Sequence, residues 1–226
     1  TQYSDTGLMP FTSYSYQVKA KDLSGNETDL SGIAGTTTHS NHKPQAEDDT
    51  ATTAEDSSIS IAVLVNDSDD DDDSLSVASY TQPANGSVIH NGNSLVYSPS
   101  LNFFGSDNFS YIASDGFDDS TSALVTITVT GVNDSPVAVA DSATVGVGAT
   151  VTIDVLANDS DPEGDSLTIG GFPAQTNKGE ILLIEDGTKL QYTSTGKRGG
   201  DSFSYTISDD AGLSSSTVVN ISISRN

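Results

Sequence analysis

The chain has 226 residues, 32 acidic against 8 basic side chains, a net charge of −24 and no cysteine. Phosphate recognition needs clustered Lys and Arg, so this balance argues against nucleic acid as a partner and suits divalent cations or a salty medium. Disulfides are impossible, no apolar run approaches the ~18 residues of a membrane helix, and 34% hydrophobic content allows a core only in small, economical units.

In chain order, no signal peptide opens the sequence, and Thr1 rather than Met leads to the expectation of an internal or processed fragment, monomeric as such. "GLMPFTSYSYQVKAKDLSGNETDLS" alternates Tyr14, Tyr16, Val18 and Ala20, and "THSNHKP" (Thr38–Pro44) reads as a linker. Period-two alternation rich in Val, Ile, Thr and Tyr then dominates. It predicts strands A (near 49–54), B (58–65), C (74–80), D (86–90), E (94–98), F (107–114) and G (121–130). Hairpin tips are expected at Asn91-Gly92 and Asp186-Gly187, which tolerate positive φ. No helical period of useful length is present.

The pattern repeats. Pro44, Asp49, Asn66, Asp67, Asp69, Asp71, Asp73 and Leu75 recur 92 residues later as Pro136, Asp141, Asn158, Asp159, Asp161, Glu163, Asp165 and Leu167. "SDNFSYIASDG" (Ser106–Gly116) recurs 94 residues later as "GDSFSYTISDD" (Gly200–Asp210). The expected division is 1–43, 44–133 and 134–226, each repeat holding the seven strands of an immunoglobulin-like sandwich.

In such a sandwich the B–C and F–G loops share one end with the start of strand A. The run Asn66–Asp73, together with Asp49 and Asp115, falls there in repeat one; Asn158–Asp165, Asp141 and Asp209 fall there in repeat two. Two carboxylates ~4 Å apart repel by roughly 4 kcal/mol at an effective dielectric of ~20. Calcium takes six to eight oxygens at ~2.3–2.6 Å, which alternating Asp and Asn supply, and no His or Cys neighbours these loops in the pattern of a zinc site. A solvated acidic loop remains the competing reading, above all for Asp70 and Asp72.

Four stretches carry a family resemblance: "LVNDSDDDDDSL", "NGNSLVYSPSLNFFGSDNFSYIASDG", "VTITVTGVNDSPVA" and "VLANDSDPEGDSLTI". They resemble the tandem cadherin-like, immunoglobulin-like repeats of large secreted bacterial proteins. The resemblance implies an all-β chain of tandem sandwiches, non-catalytic and calcium-associated, in adhesins, surface proteins and extracellular polysaccharide-degrading enzymes. Its implied ligands are Asp49, Asn66, Asp67, Asp69, Asp71, Asp73 and Asp115, and Asp141, Asn158, Asp159, Asp161, Asp165 and Asp209. The linker residues Asn133 and Asp134 look like a cadherin junction and would join Asp141; before repeat one the same place reads Asn41-His42, with His for Asp. Residues 1–38, through Leu8 and the alternating Tyr14 to Ala20, resemble the last three strands of a fibronectin type III domain of the sort found in bacterial chitinases. Tyr14 is its expected tyrosine-corner residue. Lacking its first four strands, this segment is expected to be partly disordered or completed by sequence outside the fragment.

No base stands beside a candidate nucleophile: the histidines are His39, His42 and His90. Phe109, Tyr111, Phe203 and Tyr205 in strand F, with Tyr97 and Tyr192 in strand E, read as core. Tyr80 and Phe117 lack aromatic counterparts in repeat two and are the candidates for stacking on a polysaccharide or cell-surface glycan, although no Trp is present. The expected function is a calcium-binding spacer or adhesive module of a secreted or cell-surface bacterial protein, with no membrane insertion. The alternatives are a carbohydrate-binding accessory of an enzyme such as a chitinase, and a passive acidic spacer.

Overall fold

The computed structural model describes residues 4–225. Contacts divide the chain into two units, Thr1–Thr130 and Gly131–Asn226, so Val132–Asp134 group with the second.

The first unit opens with a two-stranded antiparallel ribbon, β1 (Ser13–Tyr16) against β2 (Ala34–Thr37). Tyr14 Oη accepts the Met9 backbone N–H at 2.9 Å. A sandwich follows: β3 (Asp49–Ala54), β4 (Ile59–Ile61), β5 (Ser76–Tyr80), β6 (Gly86–Asn91), β7 (Ser94–Pro99), β8 (Gly105–Ser114) and β9 (Ala123–Thr130). One sheet has the order β3-β9-β8-β5 and the other β4-β7-β6; β3 runs parallel to β9.

The second unit repeats this plan with β10 (Asp141–Gly146), β11 (Thr150–Ile153), β12 (Thr168–Gly171), β13 (Gly179–Ile184), β14 (Lys189–Ser194), β15 (Gly199–Ser208) and β16 (Ser214–Ser224). Its sheets are β10-β16-β15-β12 and β11-β14-β13. The only helical element among the described residues is the short 3-10 turn Glu185–Gly187, and no helix is long and apolar enough to cross a membrane.

Alternation decides which side chains go inside. Along β8, Asp107, Phe109, Tyr111 and Ala113 point inward and are buried; along β9, Ala123, Val125, Ile127 and Val129 do the same. Phe203, Tyr205 and Ile207 of β15 and Val219, Ile221 and Ile223 of β16 fill the second core. The six aromatics expected in the cores are there: Tyr97, Phe109, Tyr111, Tyr192, Phe203 and Tyr205 are all buried.

Two expected details differ. Strand B stops at Ile61 rather than Val65, because the chain turns: Val65 N–H bonds Ala62 C=O at 3.2 Å, and Val63 C=O accepts the Tyr111 hydroxyl at 2.7 Å. The first hairpin turns at Gly92-Asn93, one residue beyond Asn91-Gly92, since Asn91 pairs with Ser94 and Gly92 takes φ +63°. The second hairpin turns where expected, with Asp186-Gly187 at φ +55° and +90° in the middle of the loop between the paired Ile184 and Lys189.

At the sandwich end away from the acidic loops lies a feature that the sequence reading passed over. Tyr97 and Tyr192 send their hydroxyls to Asp107 Oδ2 (3.0 Å) and Asp201 Oδ2 (2.7 Å). Asp107, almost wholly buried, also accepts N–H bonds from Ala84, Asn85 and Asn108. Burial and the adjoining Asp201 push the Tyr192 hydroxyl pKa up to about 12. Each ring lies over a glycine: a Cβ on Gly86 would come 2.7 Å from the Tyr97 ring, and one on Gly179 2.1 Å from that of Tyr192. Gly179→Ala is therefore expected to cost about 1–3 kcal/mol through overpacking. Gly171→Ala, whose Cβ meets Thr206 only at 4.0 Å, should cost far less. Thermal melts of the two variants check this; equal melting temperatures would contradict the packing argument.

Candidate metal centre

Two contacts pin the B–C loop of each repeat to the chain entering strand A. Gln45 and Ser68 form an isolated antiparallel bridge, with N–H···O distances of 2.8 and 3.0 Å, and Val137 and Ser160 repeat it at 2.7 and 3.2 Å. The buried tyrosine of strand F makes the second tie. Tyr205 Oη lies 2.8 Å from Asp141 Oδ2, 3.0 Å from Val155 C=O and 3.1 Å from Asp159 Oδ2. Tyr111 Oη lies 2.7 Å from Val63 C=O and 2.9 Å from Asp67 Oδ1. A hydroxyl carries one proton, so each tyrosine donates to one of these oxygens and crowds the rest. Burial and the flanking carboxylates accordingly push both tyrosine pKa values well above the usual phenol range.

The structure divides the expected ligands into two sets. The inner set surrounds the tyrosine and clamps backbone. Asn66 Nδ2 donates to Glu47 and Asp48 C=O (3.4 and 3.2 Å), and Asn158 Nδ2 to Val139 and Ala140 C=O (3.3 and 3.5 Å). Asp67 Oδ1 accepts the Glu47 N–H at 2.9 Å, and Asp159 Oδ1 the Val139 N–H at 2.7 Å. Asp49 and Asp141 complete this set, and Asp49 Oδ2 is buried without a hydrogen-bond partner. Desolvation, with Asp67 and Asp48 close by, pushes the Asp49 carboxyl up to about 6; desolvation and Asp159 push Asp141 in the same direction.

The outer set caps the loops. Asp161 Oδ1 accepts the N–H of Glu163 (3.0 Å) and Asp165 (3.2 Å), which curls the loop around one carboxylate. Its Oδ2 is buried and unpartnered, as are Glu163 Oε1 and Asp134 Oδ2. Asp134 N–H donates to Glu163 Oε2 at 3.0 Å. Asn133 Nδ2 donates to Asp209 Oδ2 at 2.8 Å, and Asp209 Oδ1 holds the Gly212 and Leu213 amides. Linker, B–C loop and F–G turn thus meet within the second unit. The Asn133 bond and these backbone amides hold Asp209 below the usual carboxylate range. Desolvation with Asp210, Asp161 and Asp209 pushes Asp165 above it.

Repeat one matches. Asp69 Oδ1 accepts the N–H of Asp71 (2.9 Å) and Asp73 (3.3 Å), and its Oδ2 is buried and unpartnered. Asn41 Nδ2 donates to Asp115 and Asp118, both at 2.9 Å. Desolvation, Asp69, Asp115 and Asp71 push Asp73 upward. Among the described residues, no Lys or Arg ion pair reaches either outer set. Unpartnered buried carboxylate oxygens and mutual repulsion in both repeats, with oxygen-only donors in repeat two, fit a hard divalent cation such as calcium.

The sequence reading left Glu163 and Asn41 out of the ligand set, although both were legible as the 92-residue counterparts of Asp71 and Asn133. It also left out Asp118, whose place in the F–G turn only folding reveals. Asp70 and Asp72 are exposed, and Asp72 sits in a left-handed turn at φ +60°. Of the proposed stacking aromatics, Tyr80 is half-buried against the first core, with its ring edge-on to His90 at 6.3 Å, and Phe117 is exposed beside Asp115.

A pH dependence follows from Asp49. Its folded pKa (about 6) lies above its unfolded value (3.8), so its contribution to stability is full below 3.8 and lost as pH rises through about 6. In chelator, the melting temperature of repeat one should fall across this window, and Asp49→Asn should remove most of the fall. An unaltered slope in the variant would rule Asp49 out as its source.

Residues 41–128 and 133–222, together 178 of 226, match the bacterial Ig domain family. The match starts at residue 41, so the fibronectin-like reading of the first segment gains nothing from it. No curated protein matches the sequence. Among solved structures, the human desmocollin-1 ectodomain is similar at TM-score 0.50 and 12% identity, covering 95% of this chain and 47% of that one. Human CDH23 EC21-23 is similar at TM-score 0.49 and 14% identity, over 80% and 69% of the two chains. The endo-fucoidan hydrolase MfFcnA4 from glycoside hydrolase family 107 is similar at TM-score 0.37 and 18% identity, covering 96% of this chain, which spans only 34% of that protein. At such identities the desmocollin likeness speaks for the fold alone. With both repeats matched over most of their length, the chain belongs to the bacterial Ig domain family, as two tandem cadherin-like sandwiches.

Proposed function

We propose that the chain is a non-catalytic, calcium-binding module of a secreted or cell-surface bacterial protein, acting as a spacer or adhesive element. The observation that carries this reading is the set of buried carboxylate oxygens without donors at the same end of each sandwich: Asp69 Oδ2, and Asp161 Oδ2 with Glu163 Oε1 and Asp134 Oδ2. Leaving a buried charged acceptor unpaired costs more than a neutral group's ~1–3 kcal/mol, and a cation removes that cost for several oxygens at once. In repeat two, Asp134, Asp161, Glu163 and Asp165 would hold the ion, with water completing its shell. Because Asp134 belongs to the linker, the ion would fasten the linker to the B–C loop and convert a bendable connection into a fixed one. A short linker held this way is what a spacer needs, and calcium concentrations outside the cell suit sites of ~10⁻⁴–10⁻³ M affinity.

Calorimetric titration of calcium into chelator-treated protein should show saturable binding in that range. At 100 times the dissociation constant, binding to the folded state alone raises stability by about 2.7 kcal/mol. Asp161→Asn should remove the calcium-dependent rise in melting temperature of repeat two while leaving the apo melting temperature equal or higher, since it deletes a repelling charge. No heat on titration, together with coincident melts in calcium and chelator, would leave only a passive acidic spacer.

A further inference from the structure

Only 8 basic side chains serve a chain of net charge −24, and half of them stand together. Lys178, Lys197, Arg198 and Arg225 gather at the end of repeat two away from its acidic loops. Lys178 Nζ donates to the C=O of Arg198 (3.1 Å) and of Gly200 (2.8 Å), and Lys178 C=O accepts the Thr195 N–H at 2.8 Å. These bonds pin the turn that holds Lys197 and Arg198 between two glycines of positive φ, Gly196 and Gly199, both at +99°. Gly199 pairs with Ile223, so this turn and Arg225, two residues beyond Ile223, leave the sheet at the same corner. Lys197, Arg198 and Arg225 are exposed.

Lys19, Lys21 and Lys189 each meet a carboxylate, whereas among the described residues none of these four does. Asp201, three residues beyond Arg198, is taken by the hydroxyls of Thr176 and Tyr192. The sandwich does not require the charges, since repeat one has Asn85, Phe103, Phe104 and Gly131 at the corresponding places. Nor do the acidic loops cancel them. β16 runs 11 residues from the Asp209 turn toward Arg225, about 36 Å at ~3.3 Å per residue. Screening over ~8 Å at physiological ionic strength makes the two ends separate fields, one negative and one positive.

A positive end fits an anionic partner, and this chain carries one. Asp70 and Asp72, at the loop end of repeat one, are exposed and belong to neither ligand set. We infer that the basic end of repeat two docks on Asp70 and Asp72 of a second copy of this chain, a heterologous contact that can repeat from copy to copy. Arginine forks suit carboxylates, but exposed pairs are individually weak, so the contact is low in affinity and sensitive to salt. The same screening confines the repulsion between two acidic chains to the groups near the contact. The inference does not rest on the calcium reading.

Amide NMR of nitrogen-labelled wild type, in chelator at physiological salt and titrated with unlabelled chain to millimolar concentration, tests this. Unlabelled wild type should shift two patches, Thr195–Gly200 and Ser68–Asp73, and 1 M sodium chloride, with a screening length of ~3 Å, should erase most of both. Unlabelled Lys197→Glu/Arg198→Glu chain should shift only Thr195–Gly200, because its loops stay acidic while two new carboxylates balance Lys178 and Arg225. Unlabelled Asp70→Asn/Asp72→Asn chain should shift only Ser68–Asp73. Both variants keep the fold: Arg198 gives Lys178 only its carbonyl, and Asn tolerates the left-handed φ of +60° at Asp72. Movement of neither patch, one pattern with all three titrants, or movement of Thr195–Gly200 without Asp70 and Asp72 would overturn the contact. So would wild type that ignores itself yet shifts at Thr195–Gly200 with dextran sulfate, which would give this end to a foreign polyanion.

Discussion

The buried tyrosine hydroxyl of strand F is the interaction on which the acidic end of each sandwich depends. Tyr111 and Tyr205 are fully buried, yet their hydroxyls reach three separate pieces of chain: the strand-A entry, the end of strand B and the Asn-Asp step that opens the B–C loop. Fixing those pieces to one point gives the loop a defined starting direction. Asp69 and Asp161 then curl the loop by accepting the amides two and four residues ahead. The result is carboxylates gathered by the fold against their own repulsion. Desolvation first, and that repulsion second, push Asp49, Asp73, Asp141 and Asp165 upward in the two repeats.

A second tyrosine, in strand E, closes the opposite end of each sandwich with another carboxylate and a bare glycine. Here the carboxylate needs no ion, because Asp107 is met by a hydroxyl and three backbone amides. The contrast between the ends is instructive. Both hold buried acids, but the loop end leaves carboxylate oxygens such as Asp69 Oδ2 and Asp161 Oδ2 without donors, whereas Asp107 is fully met. Satisfied acids make structure, whereas unsatisfied ones invite a ligand.

Most of the fold was legible because alternation in β8, β9, β15 and β16 is strict and the same pattern occurs twice. Strand B was overextended because Val63 and Val65 continue the apolar run, although the chain has already turned to offer Val63 C=O to Tyr111. The candidate site was legible in its residue types and its end of the fold, but not in its partition. Alternation places Asn66 and Asp67 beside Asp69; only the three-dimensional path shows that the first two clamp strand A while Asp69 faces a different set. The edge-on contact of Tyr80 with His90 was not legible either, since it forms only across the fold.

The central claim is that the outer carboxylates are a cation site which orders linker and loop together. Amide hydrogen exchange of the whole chain reads this most directly. The amides of Asp134, Glu163 and Asp165 all donate to the carboxylates of this set. The account predicts that millimolar calcium slows their exchange together, while core amides such as those of Phe203 and Tyr205 change only as global stability does. Exchange at Asp134, Glu163 and Asp165 that is identical in calcium and in chelator would contradict it.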